Sequence, residues 1–177
     1  LPESNLQVYT DIEQGVRALM IGMAVVFLFM VVYYKGFGLV ACAVLLANVV
    51  LLAALLSGLG AALSLPGIAG IILTVGMAVD ANILIYERIR EELRNGNSPQ
   101  SSIRAGFEKA LSSIADANIT TLIAGVVLWI FGTGAIRGFA VVLTLGIITS
   151  MFTALLGARA LITLVYGGKR KVASLSI

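Results

Sequence analysis

Apolar residues run along this chain in five long blocks, separated by short polar or glycine-bearing steps and, between the third and fourth, by a longer charged stretch. The blocks cover roughly residues 16–34, 37–57, 67–86, 113–131 and 140–166. At about 1.5 Å rise per residue, a helix of each length crosses a hydrocarbon core of about 30 Å. The pattern predicts an all-α fold, a polytopic membrane helix bundle with five transmembrane helices.

The steps between the blocks carry their own signals. Residues 1–15 read as a polar lead-in, and Thr10-Asp11-Ile12-Glu13 fits a capping box at a helix start. Tyr33 and Tyr34 mark an interface, where amphipathic rings are favoured. Lys35-Gly36 predicts a tight turn, making the first two spans antiparallel neighbours. Residues 57–66 form an uncharged loop with Gly58, Gly60 and Pro66. The third block runs unbroken into a charged extension that stops at Arg94-Asn95-Gly96-Asn97. Residues 87–112 then act as a helical connector. Within it, Ser98-Pro99 supplies an N-cap and a first-turn proline. Ile103, Phe107 and Leu111 recur every four residues, which suits either a short helix lying on the membrane or a solvated connector packed on the protein. Gly132–Gly138 joins the last two blocks, and residues 167–177 form a tail with Lys169, Arg170 and Lys171.

Composition agrees. Of 177 residues, 59% are hydrophobic and 12% charged, half of the roughly 25% usual for a soluble domain. One Cys and no His exclude a disulfide framework and argue against a His/Cys metal site. The net charge of +3 reflects topology rather than nucleic-acid binding. Lys35, Arg88, Arg90, Arg94, Arg104, Lys109, Arg159, Lys169, Arg170 and Lys171 fall on one side of the five spans, and Arg17 and Arg137 on the other. The crowded side is expected to be cytoplasmic, leaving the N-terminus outside. Residues 1–17 lack the basic, apolar pattern of a signal peptide. The chain starts without Met, so a preceding N-terminal part is expected.

The candidate chemistry centres on Asp80. It is the only charge among the 20 residues from Gly67 to Tyr86. Glu87 lies two turns further on, about 10 Å along the axis, so Asp80 sits well inside hydrocarbon. Holding an ionised carboxylate there costs about 3 kcal/mol on insertion scales. The cost is relieved if Asp80 takes up a proton, or if it faces a cation or a water-filled path, and a group that alternates between these states is a proton carrier. The alternative is a protonated or hydrogen-bonded residue that glues helices together. Asp80-Ala81-Asn82 is echoed by Asp116-Ala117-Asn118, followed by Thr120 and Thr121, which climb towards the level of Asp80. Asn82, Asp116, Asn118, Thr120 and Thr121 are candidate relay or supporting residues. Asp116 could equally tie two helix ends, through Arg88 or Arg90. Gly76, one turn before Asp80, leaves room for a helix or water. Thr144, Thr149, Ser150 and Thr153 read as packing. Glu87–Arg94 reads mainly as a solvated helix with opposite charges three or four apart. The chain has neither a catalytic constellation nor a nucleotide-binding Gly-Lys-Ser/Thr loop, so it does not read as an enzyme and no cofactor is expected.

GMAVDANILIYERIREELRNG, SSIADANITTLI, GTGAIRGFA and LGIITSMFTALLGARALITLVYGGKR resemble the membrane domain of the SecD family, subunits of the bacterial SecDF accessory complex of the Sec translocase. The resemblance covers nearly the whole chain. It implies one half of an RND-superfamily transporter, with SecF as the other half. Such a half has six membrane helices, of which this chain would hold the second to the sixth, without the first helix and the periplasmic domain. Asp80 matches the family's intramembrane aspartate, assigned to proton passage. The resemblance further implies a bacterial inner-membrane protein with SecF, the SecYEG translocon and YajC as partners. The preprotein would be held through the missing periplasmic domain, and the proton motive force would supply the energy. Two competing readings are half of an RND-type small-molecule exporter and a passive scaffold for SecF or the translocase.

Overall fold

The computed structural model describes residues 3–60, 64–160 and 163. Among the described residues there are helices and short connections but no strand. The first helical element, α1 (Glu3–Gly58), doubles back at Lys35, whose φ of 49° and ψ of −117° are not helical. Its arms, 3–34 and 36–58, run antiparallel. Cys42 Sγ faces the Phe27 carbonyl at 3.9 Å, and Gly38 lies against the carbonyl of Met30 so closely that a side chain would collide with it. The tight turn expected at Lys35-Gly36 is this reversal. It makes two crossings of one helical element.

Then come α2 (Leu65–Arg94), α3 (Pro99–Phe131) and α4 (Gly134–Phe152), which continues into a π-helical stretch, Thr153–Ala158. Four helices are long and apolar enough to cross a bilayer, and the reversal of the first at Lys35 divides it into two antiparallel arms. The bundle is a multi-pass membrane protein. Its outer flanks carry apolar side chains such as Phe131, Val32 and Leu28, as a surface facing lipid requires.

Local sequence accounts for most helix ends. The Ser64 hydroxyl caps α2 by accepting from the Gly67 amide at 3.3 Å, with Pro66 in the first turn. At the far end Gly96 takes φ +86°. Its amide donates to Leu93 O and that of Asn97 to Glu92 O, the paired bonds of a Schellman stop. Ser98 caps α3 and Pro99 opens it.

Three expectations are corrected. Thr10 does not start a helix, because α1 already runs from Glu3, and its hydroxyl donates to the Leu6 carbonyl one turn back. No separate helix lies over Pro99–Leu111. Ser112-Ser113 does not interrupt α3, which is one rod from Pro99 to Phe131, and Gly106 and Phe107 are buried in its opening turns. The join between α3 and α4 is Gly132-Thr133 alone, since Gly134, with φ +51°, already begins α4. The tail 167–177 and the end of the fifth block lie outside the described residues.

The bundle is built around α2, which touches α1, α3, α4 and the π-helical stretch. Tyr34 and Phe37 of α1 pack on Tyr86 with ring centroids 5.4 Å apart in each pair. On another flank, Gly70 and Thr74 meet Val142 and Gly146 of α4. On a third, Ile89 meets Gly106 of α3. Glycine at these crossings lets the helix backbones approach, the usual device for packing helices in lipid.

Candidate functional site

Asp80 lies on the flank of α2 that neither α1 nor α4 covers. The side chain is exposed, and among the described residues it makes no hydrogen bond or ion pair. It lines an open cleft of about 100 Å³ between α2 and α3, together with Ala81, Ser113, Ala117, Asn118 and Thr121. On its other side, a shallow groove runs past Gly76 and Met77. A methyl group on Gly76 would meet nothing within 4 Å, so the room expected there exists.

The echo of Asp80-Ala81-Asn82 in Asp116-Ala117-Asn118 is split by helix geometry. Asn118 and Thr121 share the cleft with Asp80. Asn82 does not: two residues on, it is turned about 200° around the axis and is buried at 1% exposure. Asp116 and Thr120 are exposed and do not line the cleft. The Thr120 hydroxyl donates to the Asp116 carbonyl and that of Thr121 to the Ala117 carbonyl, both at 2.9 Å. These are bonds within α3, a common resting place for a threonine in an apolar helix. The tie from Asp116 to Arg88 or Arg90 is not made, because Arg88 pairs with Glu91 at 2.7 Å and Arg90 with Glu87 at 3.0 Å.

Beyond Tyr86 the helix is less solvated than its charge pattern implied. Glu87 accepts from the Tyr34 hydroxyl at 3.0 Å as well as from Arg90. The Arg90 guanidinium stacks 4.8 Å from the Tyr33 ring and 5.1 Å from that of Tyr34. This cluster pins the tip of the α1 hairpin to α2. Further out, Glu92 is buried at 5% exposure and accepts from Lys109 of α3 and, at 2.6 Å, from Asn97. The bond from Lys109 holds the Glu92 carboxyl below its ordinary range, and the same bond pushes the Lys109 ammonium above its own.

A buried contact that the sequence reading missed joins the second arm of α1 to α4. Asn48 Nδ2 donates to Ser150 Oγ at 3.1 Å, and both residues are buried. A signal was present, since Asn48 is the one amide in the apolar block 37–57.

Residues 10–168 match the family described as "Protein export membrane protein SecD/SecF, C-terminal". This chain belongs to that SecD/SecF family. It is 55% identical over 168 residues to the protein translocase subunit SecD of Escherichia coli K12, covering 94% of this chain and 27% of that protein. Against the SecD of Desulfurispirillum indicum it is 58% identical over 164 residues, covering 92% and 32%. The crystal structure of SecDF from Thermus thermophilus, described as a translocon-associated membrane protein, superposes with a TM-score of 0.85 at 43% identity, covering 96% of this chain and 24% of that one. SecDF in a super-membrane-facing form gives the same TM-score and identity, covering 92% and 22%. The chain therefore spans about a quarter to a third of the SecD relatives it matches. What it shares with the SecD/SecF proteins is the membrane bundle, and the Asp80 cleft lies within that shared part.

Proposed function

We propose that this bundle is the membrane part of a Sec protein-export subunit that works with a SecF half to draw on the proton motive force in late preprotein translocation. Asp80 is its proton carrier. One observation carries the reading: a carboxylate in the middle of an apolar span opens on a cleft and has no partner among the described residues. Such a group neutralises by taking a proton and ionises when water or a cation reaches it. Asn118, Thr121 and Ser113 supply polar groups able to hold water beside it. A proton crossing the membrane gains about 2.3 kcal/mol per 100 mV, and a few protons per cycle suffice to bias a domain motion.

In this reading the chain sits in a bacterial inner membrane with the Lys/Arg-rich end in the cytoplasm and the N-terminus in the periplasm. SecF completes the transporter-like pair, and SecYEG and YajC are neighbours. The preprotein is held by a periplasmic domain of the longer protein.

The test is export of a model preprotein into membrane vesicles carrying the full-length protein and its SecF partner, with and without a proton gradient. Asp80→Asn should remove the gradient-dependent part of export while the complex still assembles. If export responds to the gradient as before, Asp80 is structural and the bundle is a passive scaffold. Proton-coupled efflux of small molecules with no effect on export would favour the exporter reading instead.

A further inference from the structure

On the side of α2 turned away from Asp80, three buried polar groups stand in a row. Asn48 and Asn82 are 1% exposed and Tyr86 0%. Asn48 Oδ1, Asn82 Oδ1 and the Tyr86 hydroxyl have no hydrogen-bond partner among the described residues. Buried polar groups in native proteins are almost always paired with protein or with ordered water, and in a membrane bundle no bulk solvent can relieve them.

Their levels follow from contacts along α2. Thr74 meets Gly146, and α2 and α4 run parallel, since Gly70 meets Val142 one turn earlier. Ser150, one turn beyond Gly146, is thus level with Ala78, as is its partner Asn48. Asn82 is one turn beyond Ala78, and Tyr86 one turn beyond Asn82. A turn rises about 5.4 Å, which is also about the distance two hydrogen bonds span through one water. Ala41, Ala78 and Ala154 are among the buried residues of the surrounding cluster, together with larger ones such as Val44 and Leu45. The π-helical stretch begins at Thr153, one turn past Thr149, and π-helical turns recur where a helix makes room for a site.

We propose that the inner face of α2 binds a short file of ordered water molecules that links the Asn48–Ser150 pair to Asn82 and on to Tyr86. The file is separate from the Asp80 cleft, with the body of α2 between them. Each bridging water donates to one amide oxygen and bonds the next group along, so all three orphaned oxygens are satisfied. The site takes water rather than a metal ion, since its ligands are neutral amides and hydroxyls and no carboxylate faces it from α2, α4 or the second arm of α1.

Radiolytic hydroxyl labelling tests this, because it marks side chains beside bound water even when they are buried. The full-length protein with its partner subunit, in lipid nanodiscs, is irradiated and read by mass spectrometry. Tyr86 is expected to be labelled despite its burial. Asn82→Leu should lower that labelling several-fold and leave Tyr33, on the exposed flank of the α1 hairpin, unchanged. Asn82→Ser keeps a polar group with space beside it and should keep Tyr86 labelled, which guards against a folding defect in the leucine variant. An unlabelled Tyr86 in the unmodified protein, or equal labelling in Asn82→Leu, overturns the proposal. So does labelling that changes when sodium replaces choline at fixed ionic strength, which would make this a cation site.

Discussion

Gly106 of α3 rests directly on the backbone of Ile89 in α2: a methyl group placed on it would lie 2.7 Å from the Ile89 nitrogen and 2.8 Å from its Cα. Backbone atoms cannot swing aside as a flexible side chain can, so Gly106→Ala must push α3 away from α2. The expected loss is about 1–3 kcal/mol, the range for overpacked interiors, read as a lower unfolding midpoint in detergent. Gly76→Ala is the control. Its new methyl meets open space, and replacing glycine inside a helix gains up to about 1 kcal/mol. The isolated chain should therefore be unharmed or slightly more stable.

The α1 reversal offers a pair of substitutions with opposite signs. Lys35 is the only non-glycine residue among those described with positive φ. Lys35→Gly should relieve that strain and stabilise the hairpin by about 1 kcal/mol. Gly38→Ala should do the reverse, since its side chain would enter the Met30 carbonyl. Protease protection of the hairpin tip, compared across the two variants, separates these outcomes.

The Glu92–Lys109 bond sets a pH window. Glu92 is held low in the folded protein, so its contribution is full above the unfolded carboxylate value, about 4.3, and fades as pH falls through the lower folded one. Lys109 is held high. Its contribution is full below the unfolded value, about 10.4, and fades as pH rises through the higher folded one. Amide protection in the turn at Asn95–Ser98, taken relative to the intrinsic exchange rate at each pH, should be highest between these limits. Glu92→Gln should remove the acid-side dependence that comes from this bond.

The Asn48–Ser150 hydrogen bond should be measurable by a double-mutant cycle. Asn48→Ala and Ser150→Ala, singly and together, are expected to show a coupling of about 0.6 kcal/mol, with about 1.7 as the upper end for such bonds in membrane proteins. Additive losses would mean that the two residues are stabilised by separate partners.

The spans were legible because each depends on a local property. Length and apolarity define a crossing, and Ser98-Pro99 and Asn95-Gly96 punctuate helices whatever surrounds them. Ser112-Ser113 misled because serine does not break a helix that tertiary contacts hold together, and Gly106 packs this one on Ile89. Thr10-x-x-Glu13 misled because a capping box is a pattern that helix interiors also contain. At the site, Asp80 stood out as a lone charge, but its companions depended on rotation around two axes. The same rotation brought Asn118 to the cleft and sent Asn82 to the core. The bond between Asn48 and Ser150 joins residues 102 positions apart, and neither local stretch names the other.

The Schellman stop at Gly96 and the Glu92–Lys109 clamp lock the protruding ends of α2 and α3 into one stiff rod-pair. From Asp80 to that turn is a run of about 24 Å along α2. Such a rod acts as a lever arm: a tilt of about 5° at the level of Asp80 sweeps the tip through about 2 Å. In the proposed proton-carrier role of Asp80, a change of charge at that carboxylate would be read out as a displacement of the turn at Asn95–Ser98.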